Sequence, residues 1–138
     1  MSYKFPLAFD SWDNDEKDAI SEVVKTGNFT MGTKVKEFEN SFSEYISSKY
    51  SLMVNSGSSA NLLMIASLFY TSDKNKKLKR GDEVIVPAIS WSTTYYPLYQ
   101  YGLKLKFVDI DIETLNYDLS KLKDAVSEKT KVICAVNL

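Results

Sequence analysis

Four small polar residues and a glycine, Asn55, Ser56, Gly57, Ser58 and Ser59, separate the apolar residues 52–54 from a longer apolar run that begins Leu62, Leu63, Met64, Ile65. That order reads as a short strand, a tight turn and the start of a helix. The first backbone N–H groups of a helix have no partner within it, and a glycine beside them leaves room for an anion, so the turn has the makings of a phosphate cradle. The same residues serve equally well as a plain turn with Ser58 or Ser59 as N-cap. The lysine of a nucleoside-triphosphate loop is absent, as are the repeated glycines of a dinucleotide fingerprint, so a single phosphate ester is the better guest.

A second group, Ser90, Trp91, Ser92, Thr93 and Thr94, also follows a strand-like run and precedes a helical one. Ligands of open parallel sheets gather beyond the carboxyl ends of the strands, where both groups fall. An indole there is either a packing residue or a platform for a flat ligand, a contact worth roughly 0.5–1.5 kcal/mol beyond the area buried. Cradle and platform together ask for a phosphorylated aromatic cofactor, and pyridoxal 5′-phosphate or pyridoxamine 5′-phosphate meets both demands. Asp109 and Asp111 raise another chemistry, a divalent ion in a metal-dependent nucleotide-sugar transferase, although two carboxylates are too few for a site. Their plainer roles are to end a strand and to open a turn. The loop Gly27, Asn28, Phe29, Thr30, Met31, Gly32 frames an apolar and a hydroxyl side chain between glycines and is a candidate substrate contact.

The elements that must position these groups follow from periodicity. Residues 13–24 place Ala19, Ile20, Val23 and Val24 on one helical face, with Gly27 set to end the helix. A second helix, N-capped by Thr33, carries Val35, Phe38, Phe42, Tyr45 and Ile46. The pattern then alternates, with strands at 50–54, 83–87, 104–108 and 131–136 and helices at 59–70, 93–101 and 119–126, the last capped by Asp118. Such alternation predicts an α/β fold, a mostly parallel sheet joined by right-handed crossovers with helices on both faces. The helix after the serine turn is apolar nearly all round and is expected to be buried. Residues 1–50 read as an N-terminal helical segment and 51–138 as an α/β cofactor-binding domain. The sequence stops on an apolar strand with no helix to cover it, so a truncated domain is expected.

Composition narrows the partners. Seventeen basic residues balance eighteen acidic ones in 138, which leaves no net field for nucleic acid or an anionic membrane. The basic stretch at 74–80 lacks interleaved aromatics and reads as a solvated loop. No apolar run approaches the roughly 18 residues of a membrane span, and residues 1–6 lack the core of a signal peptide, so a cytoplasmic protein is expected. The single cysteine, Cys134, sits in an apolar strand as a packing residue. There is no histidine, which removes the commonest general base and zinc ligand from this stretch.

Taken in order, Phe29-Thr30-Met31-Gly32, Asn55-Ser56-Gly57-Ser58-Ser59-Ala60-Asn61, Gly81-Asp82-Glu83-Val84-Ile85-Val86-Pro87, Ser90-Trp91-Ser92-Thr93-Thr94 and Phe107-Val108-Asp109-Ile110-Asp111 resemble the DegT/DnrJ/EryC1/StrS sugar aminotransferase family, of aspartate-aminotransferase fold. The resemblance covers almost the whole chain. It implies a pyridoxal or pyridoxamine phosphate enzyme, with Gly57 and Ser58 on the cofactor phosphate and Trp91 stacked on its ring. It implies further that Gly27, Asn28, Phe29 and Thr30 touch a nucleotide-linked keto-sugar, with Asn28 standing where a larger apolar residue is usual. The run from Trp91 to Gly102 is most similar to members that remove the C3 hydroxyl of a nucleotide-linked 4-keto-6-deoxyhexose in deoxysugar and lipopolysaccharide synthesis. Transfer of an amine to C4 is the alternative. By the same resemblance the aspartate on the pyridine nitrogen, and the Schiff-base lysine or base histidine, lie beyond Leu138. This stretch alone is then expected to be inactive and the full-length protein to be a homodimer. An inert or dimerisation fragment, like the metal-dependent transferase, remains a reading of another class.

Overall fold

The computed structural model describes residues 9–136. The missing signal-peptide core, read at residues 1–6, and the chain end at 137–138 lie outside the described residues. The chain divides into two compact units, Met1–Met53 and Val54–Leu138.

In the first unit α1 (Asn14–Thr26) begins with a capping box. Asp13 accepts the Asp15 N–H at 2.8 Å, and Glu16 reaches back to the Asp13 N–H at 2.9 Å. It ends where the sequence predicts, at Gly27, whose φ of 69° is the left-handed turn that glycine adopts freely. α2 (Thr33–Tyr45) is capped by Gly32 instead of Thr33: the Gly32 carbonyl already accepts from Lys36 N–H at 3.3 Å, so Thr33 is the first helical residue. Phe38 and Phe42 stack one turn apart at 5.8 Å. The strand predicted at 50–54 does not form. A strand exists only through its neighbours, and here the Met53 N–H is taken by the Glu39 carboxylate at 2.8 Å and the Tyr50 carbonyl by the Ser48 hydroxyl at 3.0 Å.

The second unit runs α3 (Gly57–Tyr70), β1 (Glu83–Pro87), α4 (Ser92–Gln100), β2 (Lys104–Val108), α5 (Leu119–Ala125) and β3 (Thr130–Ile133). The three strands are parallel in the order β2-β1-β3, with Glu83 opposite Lys104 and Pro87 opposite Val108. β1 is therefore central, and Val84, Ile85 and Val86 are completely buried. Each such side chain is worth roughly 1.5–3 kcal/mol of burial, which makes β1 the anchor of the unit. Val84 and Val86 share one face with Ile65 of α3 and with Leu98 and Leu103, while α5 packs on β2 across the other face. There the Lys106 ammonium donates to the Ala125 carbonyl at 2.6 Å, and the Tyr117 hydroxyl donates to Cys134 O at 2.8 Å and Ile85 O at 3.3 Å. Helices on both faces of a parallel sheet are the expected α/β arrangement.

A further expectation, a buried helix after the serine turn, fails as well. α3 buries only Ile65, and Leu62, Leu63 and Met64 are exposed. Apolarity all round a helix records everything that surrounds it, whereas the elements of this unit cover one side.

Candidate functional site

The cap of α3 is Ser56, two residues before the earlier of the predicted caps. Its hydroxyl oxygen accepts the Ser59 N–H at 3.2 Å, and its O–H begins a relay to Ser59 Oγ at 3.2 Å and on to Asn55 Oδ1 at 2.7 Å. Ser59 is thereby occupied with the turn itself. Moving the cap upstream makes Gly57 and Ser58 the first two helical residues, whose N–H groups, with the Ser58 hydroxyl, have no partner among the described residues. A Cβ at Gly57 would meet nothing within 4 Å, so the space beside this residue is open. No acid lies in the first turn. The positive end of a helix dipole, two N–H groups without partners among the described residues and open space beside Gly57 make an arrangement suited to a phosphate.

Trp91 stands at the N-cap of α4, just past the carboxyl end of β1, and is 76% exposed. Within this chain it is not a core residue. The backbone beneath it is held tightly: the Ala88 N–H donates to Val108 O at 2.7 Å, the Tyr95 hydroxyl to Pro87 O at 2.8 Å, and Ser90 and Thr94 hydroxyls pair at 2.8 Å. Burial raises the Tyr95 phenol above its ordinary range, so it acts as a donor to Pro87 throughout the neutral range. The side-chain amide of Asn61 on α3 donates to the Thr93 carbonyl on α4 at 3.1 Å. Ser58, Ser59 and Thr93 line one hollow of about 380 Å³ together with Leu62, Tyr96 and Pro97. The cradle and the helix start that bears Trp91 are thus neighbours. Neither Asn61 nor Pro97 was singled out from the sequence, although a proline inside a helical pattern is itself a signal that one carbonyl lacks its donor.

The remaining candidates divide. Asp109 pairs with Lys121 at 3.0 Å, and its carboxyl is held below the usual range first by that hydrogen bond and then by the Ile110 N–H. Asp111 receives the N–H groups of Glu113 and Thr114 at 2.8 and 3.0 Å. Both carboxylates are engaged, and no group of three His, Cys, Asp or Glu side chains that could hold a metal occurs among the described residues. Asp118 caps α5 as predicted, accepting from Ser120 and Lys121 N–H. Cys134 is partly buried just past β3, and burial pushes its thiol up, which suits packing better than nucleophilic attack. No helix among the described residues is long and apolar enough to cross a membrane.

In the first unit, Asn28 to Gly32 line a hollow of about 280 Å³ with Val23 and Val35. A Cβ on Gly32 would fall 3.0 Å from Asn28 Nδ2, so the Asn28 amide lies against the glycine and closes the loop from within. Phe29 and Met31 are exposed at its rim, with Met31 in the left-handed region at φ 39°.

Comparison with known proteins finds relatives along nearly the whole chain. The chain is 63% identical over 134 residues to a GDP-4-keto-6-deoxy-D-mannose 3-dehydratase of Yersinia pseudotuberculosis, covering 97% of this chain and 34% of that protein. A solved structure of the Escherichia coli GDP-4-keto-6-deoxy-D-mannose-3-dehydratase with bound hydrated PLP superposes with a TM-score of 0.91 at 58% identity, over 98% of this chain and 34% of that one. A UDP-4-amino-4-deoxy-L-arabinose–oxoglutarate aminotransferase of Shewanella sediminis is 28% identical over 138 residues, covering 99% of this chain and 34% of that protein. The chain spans about a third of the length of these relatives. Residues 10–138 match the family model, and the chain belongs to the DegT/DnrJ/EryC1/StrS aminotransferase family.

Proposed function

We propose that the protein containing this chain holds pyridoxal or pyridoxamine 5′-phosphate and removes the C3 hydroxyl of a nucleotide-linked 4-keto-6-deoxyhexose. The 63% identity to a protein named for that reaction carries the reading. The chain's own geometry fits the cofactor: open space over Gly57, two free N–H groups and a free hydroxyl at the positive end of α3, and an exposed indole on the neighbouring helix start. When bound, the cofactor would supply an amine for the C4 ketone and a pyridinium ring able to hold the electron pair of a broken C–H bond until the C3 hydroxyl departs with a pair as hydroxide. The Gly57 and Ser58 N–H groups and the Ser58 hydroxyl hold the phosphate. Trp91 lies against the ring and excludes water from one face. Gly27, Asn28, Phe29 and Thr30 contact the nucleotide sugar, so the helical segment 1–50 serves the substrate and residues 51–138 the cofactor. The full-length protein works as a cytoplasmic homodimer in deoxysugar synthesis.

Transfer of an amine to C4 on the same scaffold is the second reading, supported by the aminotransferase relative. Mass spectrometry of the product formed by the full-length protein from a GDP-linked 4-keto-6-deoxyhexose separates the two. Loss of the C3 oxygen is the result expected, and replacement of the C4 oxygen by nitrogen would establish the second reading. A full-length protein that retains no pyridoxal species would overturn both.

A further inference from the structure

Pro97 is the sixth residue of α4 and is buried. Having no N–H, it cannot donate to the carbonyl four residues back, and its ring presses that carbonyl away from the helix axis. The carbonyl belongs to Thr93, two residues after Trp91. Its place as acceptor is filled from another helix, by Asn61 Nδ2 at 3.1 Å. Asn61 lies four residues after Gly57, one turn along α3, and so shares the face of the helix from which the cradle opens. A single side chain therefore joins the two helix starts one turn behind the groups that face the ligand.

We propose that Asn61 is a positioning residue for the cofactor surface. By supplying the hydrogen bond that Pro97 withholds, it fixes the first turn of α4, and with it Trp91, against the turn that carries Gly57 and Ser58. The inference rests on the cofactor reading above. It has a specific signature, because the need for Asn61 exists only while residue 97 is proline. An alanine at 97 would return the backbone donor to Thr93 O and make the Asn61 amide redundant.

The test compares the full-length protein with Asn61→Ala, Pro97→Ala and the double variant. Pyridoxal 5′-phosphate is titrated into cofactor-free protein, and amide hydrogen exchange of residues 92–100 is followed without it. Asn61→Ala is expected to weaken affinity about tenfold, the net worth of one hydrogen bond, and to speed exchange in the first turn of α4. Pro97→Ala alone should stay within about twofold of wild type, and the double variant within about threefold. Asn61→Leu, of similar volume but without a donor, repeats the comparison should the alanine variant fold poorly. A double variant as weak as Asn61→Ala, or Asn61 variants with wild-type affinity and exchange, would overturn the proposal. If the wild-type protein takes up no cofactor, the cofactor reading fails on that result alone. The exchange rates then decide the link between the helices: faster exchange in Asn61→Ala that Pro97→Ala reverses upholds it, and unchanged exchange removes it.

Discussion

Gly57→Ala separates a phosphate cradle from an ordinary helix start because the two readings give it opposite consequences. A Cβ at this position has nothing within 4 Å to strike, and the backbone is outside the left-handed region, so the folded chain accepts the methyl without strain. Removing glycine's freedom from the unfolded chain should then stabilise the protein by about 0.4–1 kcal/mol. In the proposed cradle the same methyl would take up space that the phosphate uses beside the Gly57 and Ser58 N–H groups. Displacing a phosphate from one of them forfeits a hydrogen bond to a charged group, about 1.5–3 kcal/mol, or roughly 10- to 150-fold in affinity. Urea unfolding of the cofactor-free full-length protein measures the first quantity and titration with pyridoxal 5′-phosphate the second. A variant that is more stable and binds within twofold of wild type would show that nothing charged approaches Gly57. A variant destabilised by more than about 1 kcal/mol would show that the space over it is not open.

Trp91→Ala should change stability by less than about 0.5 kcal/mol, since the ring is largely exposed, yet weaken or shift the absorbance of the bound cofactor; an unaltered spectrum and affinity would leave the ring without a ligand. Tyr117→Phe removes the hydroxyl that joins β1 to the segment after β3 and should cost about 0.5–1.5 kcal/mol in urea unfolding, with cofactor affinity unchanged. Asp109 has its folded pKa below its unfolded value, so its contribution to stability is complete above the ordinary carboxylate range and is lost as pH falls through the folded value. Lys121 is raised, and its share holds below the ordinary lysine range and is lost as pH rises through the folded value. Carboxyl NMR titration should place the Asp109 midpoint below that of a free aspartate, and should move it back toward that value in Lys121→Ala or at high salt. A midpoint insensitive to both would dissolve the pair.

The sequence was most legible where structure is local. β1 and β2 occupy the predicted residues because β1 is an apolar run rich in β-branched residues, β2 opens with alternating charged and apolar residues, and each begins shortly after a glycine, Gly81 or Gly102. The caps at Gly27 and Asp118 follow from single residues. Ser56 and Gly32 were missed because several adjacent small residues can each cap a helix, and the choice depends on which carbonyl first finds a donor. The strand at 50–54 was misread because pairing belongs to two segments and is written in neither. The polar residues of the proposed cradle are readable as candidates from their types, but the link from Asn61 to Thr93 spans 32 positions and needs a fold to be visible.

The two helix starts at α1 and α3 carry opposite electrostatic endings. Asp13, Asp15 and Glu16 neutralise the first, while the second has only hydroxyls and bare N–H groups. The first helix closes its own charge balance and should hold the same stability whichever anion the buffer contains. With a phosphate in the proposed cradle, the second takes its balance from a dissolved anion, and its folding free energy becomes a function of concentration. A ligand at a hundred times its dissociation constant adds about 2.7 kcal/mol, and dialysis takes the same amount away. For such a helix, the melting temperature is a property of the solution as much as of the chain.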